Sequence, residues 1–149
     1  MGWFHPASLL LVVLIVLLVW AGVEDVRHRT IANGKNATIA LLAPFWWWAT
    51  ATLGWGDLAW QIGGALAVFA AFAGLFAMGW MGGGDVKLIG ALALWLPVGT
   101  MVWVLMVMSL LGGAISLALL IERGLARHQA QIEVPYGVAI VCAALLALP

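Results

Sequence analysis

"LWLPVGTMVW", Leu94 to Trp103, interrupts what would otherwise be one apolar run from Val86 to Ile121. Pro97 has no amide hydrogen to give a helix, and Gly99 follows two residues later, so Pro97 to Thr100 reads as a turn. Unbroken, the run would be much longer than the ~20 residues one bilayer crossing needs. Split there, it gives two spans, Val86–Leu96 and Thr100–Ile121. The number of spans in the whole chain turns on that split.

Outward from this point lie four more apolar stretches, Ala7–Val23, Ala37–Leu53, Leu58–Met78 and Val134–Leu148. Of the 149 residues, 66% are hydrophobic and only 8% charged, and the mean hydropathy is +1.14. A soluble core cannot hide that much apolar surface, so the expectation is an all-α polytopic membrane protein of about six transmembrane helices in a single domain, residues 1–149. The leading "MGWFHPAS" contains no Lys or Arg and no small-residue cleavage site follows, so the first stretch is read as a permanent helix rather than a secretory signal.

Charge supports the split. With six spans, Arg27, Arg29, Lys35, Lys87, Arg123 and Arg127, which are all the Lys and Arg present, fall on one side. Merging the two spans around Pro97 would put Arg123 and Arg127 opposite the rest. The positive-inside rule then makes the common side the cytoplasm and places both termini outside it, in a multi-pass protein of the cytoplasmic (inner) membrane. Glu24, Asp25, Asp85, Glu122 and Glu133 gather on the same side, with only Asp57 opposite. Trp20 and Trp80 suit an inner aromatic belt and Trp3, Trp55, Trp60 and Trp95 an outer one, while Trp46 to Trp48 read as lipid-facing or packing bulk.

Several function classes drop out. A net charge of zero with no polybasic stretch offers nucleic acid no footprint. The lone Cys142 excludes an internal disulfide and a cysteine cluster, and His5, His28 and His128 are scattered without ligand spacing. There is no H-E-x-x-H, which disfavours a metalloprotease, and no metal or other cofactor is expected.

The remaining chemistry sits in "EDVRHRTIANGKN", Glu24 to Asn36, and "GGGDVKL", Gly82 to Leu88. These stretches put Asp25 and Asp85 at one depth, on two helices expected to pack together. Two carboxylates brought close cannot both ionise cheaply, so they share a proton. Aspartic peptide hydrolysis needs such a pair: one carboxylate takes a proton from water while the other, protonated, polarises the scissile carbonyl. Gly82, Gly83 and Gly84 are expected to break the helix and admit an extended substrate backbone. Asn36 reads as a cap for the second helix. Lys87 reads as a snorkelling anchor that points away from Asp85. From Asp85 to Pro97 a helix extends only about 18 Å, against a hydrocarbon core of about 30 Å, so Asp85 is expected to be recessed.

In these residues the chain resembles the type IV prepilin peptidase family, membrane aspartic proteases that trim prepilin leaders. Gly82, Gly84, Asp85, Lys87 and Leu88 match its G-x-G-D-x-K-L motif. Asp25 stands at the family's first aspartate, with Ile31 and Asn33 at the offsets of its Ile-Pro-Asn element, and "VPYGVAI", Val134 to Ile140, is similar to the opening of its last helix. Glu24 does not fit the spacing. Ala32 stands where the family carries proline, which should loosen that loop.

The resemblance implies Asp25 and Asp85 as the catalytic pair, with Gly82, Gly83, Gly84, Lys87 and Asn33 supporting the substrate site. It also implies a prepilin or pseudopilin substrate whose leader helix lies in the bilayer. Among family members the chain looks like the short, single-domain kind of Flp-type, tight-adherence pili, or like archaeal preflagellin peptidases. It has no room for the extra region of bifunctional relatives, so cleavage without N-methylation is expected. Two other classes stay open: a small proton-coupled transporter, disfavoured by the lack of an internal repeat, and a non-catalytic pilus or secretion assembly factor.

Overall fold

The computed structural model describes residues 5–50, 54–126 and 136–148. Trp3, Arg127, His128, Glu133 and Pro135 lie outside the described residues. Within them the chain forms helices α1 (Pro6–His28), α2 (Asn33–Thr50), α3 (Trp55–Ala77), α4 (Gly83–Trp95), α5 (Val98–Ala126) and α6 (Tyr136–Ala147). The fold is all-helical, and the break at Pro97 is real. Leu96 is extended, and the new helix starts with the Met101 N–H donating to the Pro97 carbonyl.

Three helices, α1, α3 and α5, contain stretches long and apolar enough to cross a membrane: Pro6–His28, Trp55–Ala77 and Val98–Ile121. Leu9, Val16, Leu66 and Leu110 on them face outward, as lipid-facing side chains would. The helix α4 differs. It has only 13 residues, about 20 Å of length, and Val86, Leu88, Ile89, Ala91, Leu92, Ala93 and Trp95 are all buried. It packs against α2, α3, α5 and α6, which makes it the centre of the bundle. Small residues let neighbours approach: a Cβ on Gly90 would lie 2.7 Å from the Phe69 ring.

The ends of α1 and α3 have local causes. Pro6 opens α1 in the first turn, where its missing N–H costs nothing. Arg29 closes that helix in the left-handed region, φ 54°, with its N–H on the Asp25 carbonyl, and so turns the chain back toward α2. Asp57 caps the start of α3 by accepting the Gly54 N–H at 3.2 Å. At its other end Gly79, φ 75°, allows paired bonds from Gly79 N–H to Phe76 O and from Trp80 N–H to Leu75 O, the Schellman closure that reverses the chain toward α4.

Three expectations need correction. Asn36 is not the cap of the second helix, because α2 already begins at Asn33. The glycine triplet is not a general break: Gly83 and Gly84 belong to the first turn of α4, and only Gly82 is extended. Trp95 does not stand in an outer belt. It is 5% exposed, its indole N–H bonds the Ile39 carbonyl at 2.8 Å, and its ring lies 5.4 Å from that of Trp46. The Trp46–Trp48 triplet divides between both of its expected roles. Trp46 and Trp47 pack inward, whereas Trp48 is 78% exposed.

Candidate active site

Asp25 lies in the last turn of α1 and Asp85 in the first turn of α4, and both line one open cleft of about 560 Å³. His28, Arg29, Thr30, Trp80, Gly82 and Tyr136 are among the other residues of its walls. Against expectation, α1 and α4 share no extensive interface. Each packs instead against α2 and α6, and these two helices bring the aspartates together. A gap thus remains between α1 and α4, which direct packing would have closed.

Asp25 is 4% exposed. Its Oδ2 accepts the Val138 N–H at 3.2 Å, in the first turn of α6, where backbone donors have no partner within the helix. The approach is so close that a Cβ on Gly137 would lie 2.7 Å from the Asp25 carboxyl carbon. Gly137 is therefore required for Asp25 to reach α6. It is a site residue that sequence reasoning missed, since a glycine early in a helix gives no sign of what will rest on it.

Asp85 has no hydrogen-bond donor for its carboxyl group among the described residues. It precedes the apolar stretch of α4. Burial, and then the charge of Asp25, push its pKa up to about 7, well above the ordinary carboxylate range. An acid that holds its proton near neutrality beside a second, hydrogen-bonded carboxylate is the electrostatic arrangement of an acid–base pair.

The glycines serve close packing rather than irregular backbone. A Cβ on Gly84 would stand 3.2 Å from the Ile31 nitrogen and 3.3 Å from its carbonyl oxygen, so the start of α4 rests directly on the loop between α1 and α2. Gly83 meets the Phe76 ring at 3.2 Å in the same sense, and Gly82 lies against the Asp85 carboxylate. Asn36 reinforces this seat by donating from Nδ2 to the Gly84 carbonyl at 3.0 Å.

Lys87 does point away from Asp85, since it lines a separate apolar groove with Asn33 and Asn36. It is more than a free anchor, however: its Nζ donates to Asn33 Oδ1 at 2.7 Å, which ties the two sequence motifs to each other. Glu24, outside the expected spacing, accepts the Ala32 N–H at 3.0 Å and pairs with Lys35. Of the residues expected at the site, Asp25, Asp85 and Gly82 line the cleft. Gly83 and Gly84 open the helix that carries Asp85, and Asn33 and Lys87 line the separate groove.

A model of the type IV leader peptidase family matches residues 12–117, which is more than half the chain and includes both aspartates. No curated protein and no solved structure matches it.

Proposed function

The chain belongs to the type IV leader peptidase family, and from that premise we propose that Asp25 and Asp85 are its catalytic pair, cleaving the leader peptide of a type IV, Flp-like prepilin or pseudopilin. The observation that carries the reading is the shared cleft, in which a buried, backbone-held carboxylate faces one that keeps its proton near neutrality. Asp25, ionised, takes a proton from water as the water oxygen bonds to the scissile carbonyl carbon. Asp85, protonated, donates to the carbonyl oxygen. Collapse of the tetrahedral intermediate breaks the C–N bond, and the leaving nitrogen takes up the proton.

The site works at one membrane face. Arg27 and Arg29 lie at the end of α1 that carries Asp25, Lys35 in the adjoining first turn of α2 and Lys87 in the start of α4 that carries Asp85, while Asp57 lies in the first turn of α3, away from the Gly79 turn that leads into α4. By the positive-inside rule the cleft faces the cytoplasm, in the inner membrane. The enzyme needs no metal or other cofactor and releases an unmethylated N-terminus. Residues 1–149 act as one peptidase domain.

The test is cleavage of a prepilin in reconstituted vesicles. Asp25→Asn and Asp85→Asn are each expected to lower kcat by more than about a thousandfold, with the double variant little worse, because groups acting jointly are not additive. The wild-type rate should fall as pH rises through about 7, where Asp85 loses its proton. Normal processing by a correctly inserted Asp85→Asn variant would remove the pair from the reaction.

A further inference from the structure

The segment between α1 and α2 runs from Arg29 to Ala32, and the first turn of α4 rests on it so closely that a Cβ at Gly84 would stand 3.2 Å from the Ile31 backbone. A displacement of Ile31 would therefore press on Gly84, the residue next to Asp85. Ala32 occupies the position where proline would have stiffened the segment through its fixed φ and left no N–H to satisfy. Here the N–H is present, and the Glu24 carboxylate accepts it at 3.0 Å.

The same Oε2 atom accepts from Lys35 Nζ, so the last turn of α1, the loop and the first turn of α2 meet at one oxygen. The ion pair is partly shielded, with side chains 21% exposed for Glu24 and 11% for Lys35 and the ammonium 4.6 Å from the Trp20 ring centroid, while the bond to the Ala32 N–H lies at the surface. A charge-assisted bond shared with a partly shielded ammonium holds the carboxylate in place better than an open surface pair does.

We propose that Glu24 is a positioning residue: by holding the Ala32 N–H under the Lys35 ammonium it does the work of a proline ring, fixing the seat of α4 and hence the placement of Asp85 relative to Asp25. The proposal rests on the catalytic reading of the aspartates, but its geometry can be tested separately. Glu24 itself touches no reacting atom. It acts on the reaction only through the loop.

Four variants make the test, each measured for cleavage in vesicles and for the spin–spin distance distribution between labels at Thr30 and Trp80 across the cleft. Glu24→Ala should broaden the distribution and lower kcat by about a hundredfold at nearly constant KM, the scale of loss that misplacing a reacting group by about 1 Å brings. Glu24→Gln keeps an acceptor for the Ala32 N–H and should stay within about fivefold of wild type, as should Lys35→Met, since the backbone bond survives in both. Adding Ala32→Pro to Glu24→Ala should narrow the distribution again and recover most of kcat, because proline restrains the loop without needing an acceptor.

Wild-type kcat in Glu24→Ala overturns the proposal, as does a loss that Glu24→Gln shares in full and the added proline fails to restore. Should wild type itself fail to cleave while Glu24→Ala still broadens the distances, the clamp stands and the catalytic reading falls.

Discussion

The two ends of α4 are built on opposite plans. At the C-terminal end, carbonyls that the helix cannot satisfy are met by buried side chains from its neighbours. Gln61 Nε2 donates to the Ala93 and Leu96 carbonyls, both at 2.7 Å, and the Trp47 indole N–H donates to Leu94 O at 2.9 Å. At the N-terminal end Gly82 supplies no capping side chain, the Asp85 carboxyl has no donor among the described residues, and Asn36 Oδ1 is buried without a partner there. One end is closed by hydrogen bonds, as a stability element should be. The other leaves polar groups available, which is how a fold holds chemistry in reserve.

The sharpest way to break this contrast is to fill the active end. Gly137→Ala would drive a Cβ to 2.7 Å from the Asp25 carboxyl carbon, and cleavage should fall by about a hundredfold as Asp25 is pushed from its place. Gly113→Ala, where a Cβ meets nothing within 4 Å, is the control and should behave as wild type in the same vesicle assay. Equal behaviour of the two variants would show that the contact between Asp25 and α6 does not matter.

Next in size is the opposite experiment at the closed end. Gln61→Leu strands two buried carbonyls, a loss of roughly 2 kcal/mol. Thermal unfolding in detergent should reveal it, while cleavage per folded molecule stays close to wild type. A large loss of turnover without a loss of stability would erase the distinction between the ends.

The smallest effect is also the most specific. Folded, Asp85 keeps its proton up to about 7, whereas its ordinary value is 3.8. Proton binding therefore favours the native state below that ordinary value, and the benefit is lost as pH rises through the window to about 7. Asp85→Asn removes the charge that burial penalises. It should melt above wild type at pH 8 and level with it at pH 4, which calorimetry of the detergent-solubilised protein can measure.

Glu24 adds a second lesson to the comparison. The α1–α2 loop carries no helical hydrogen-bond ladder of its own, so its order depends on side chains reaching across it. Glu24 and Lys35 reach it from the two helices it joins, and Asn33 binds Lys87 of α4. The loop expected to be loose for want of a proline is held by a carboxylate instead.

By itself the sequence determined the helical class and the break at Pro97, and it marked Asp25 and Asp85 as candidates for a pair. The first two rest on local or compositional physics, since a run of apolar residues must hide its backbone in a helix and proline cannot continue one, while the two aspartates stand out because each lies in a short, contiguous motif. Only the tertiary structure decided that α4 is a buried central helix, that Gly84 is glycine because Ile31 lies beneath it, and that Trp95 faces inward. It alone decided that α2 and α6, rather than a direct contact of α1 with α4, bring the aspartates to one cleft. Those outcomes depend on which surfaces meet across long separations in the chain, as from Asp25 to Val138, and no periodicity along a single helix encodes the partner it will find.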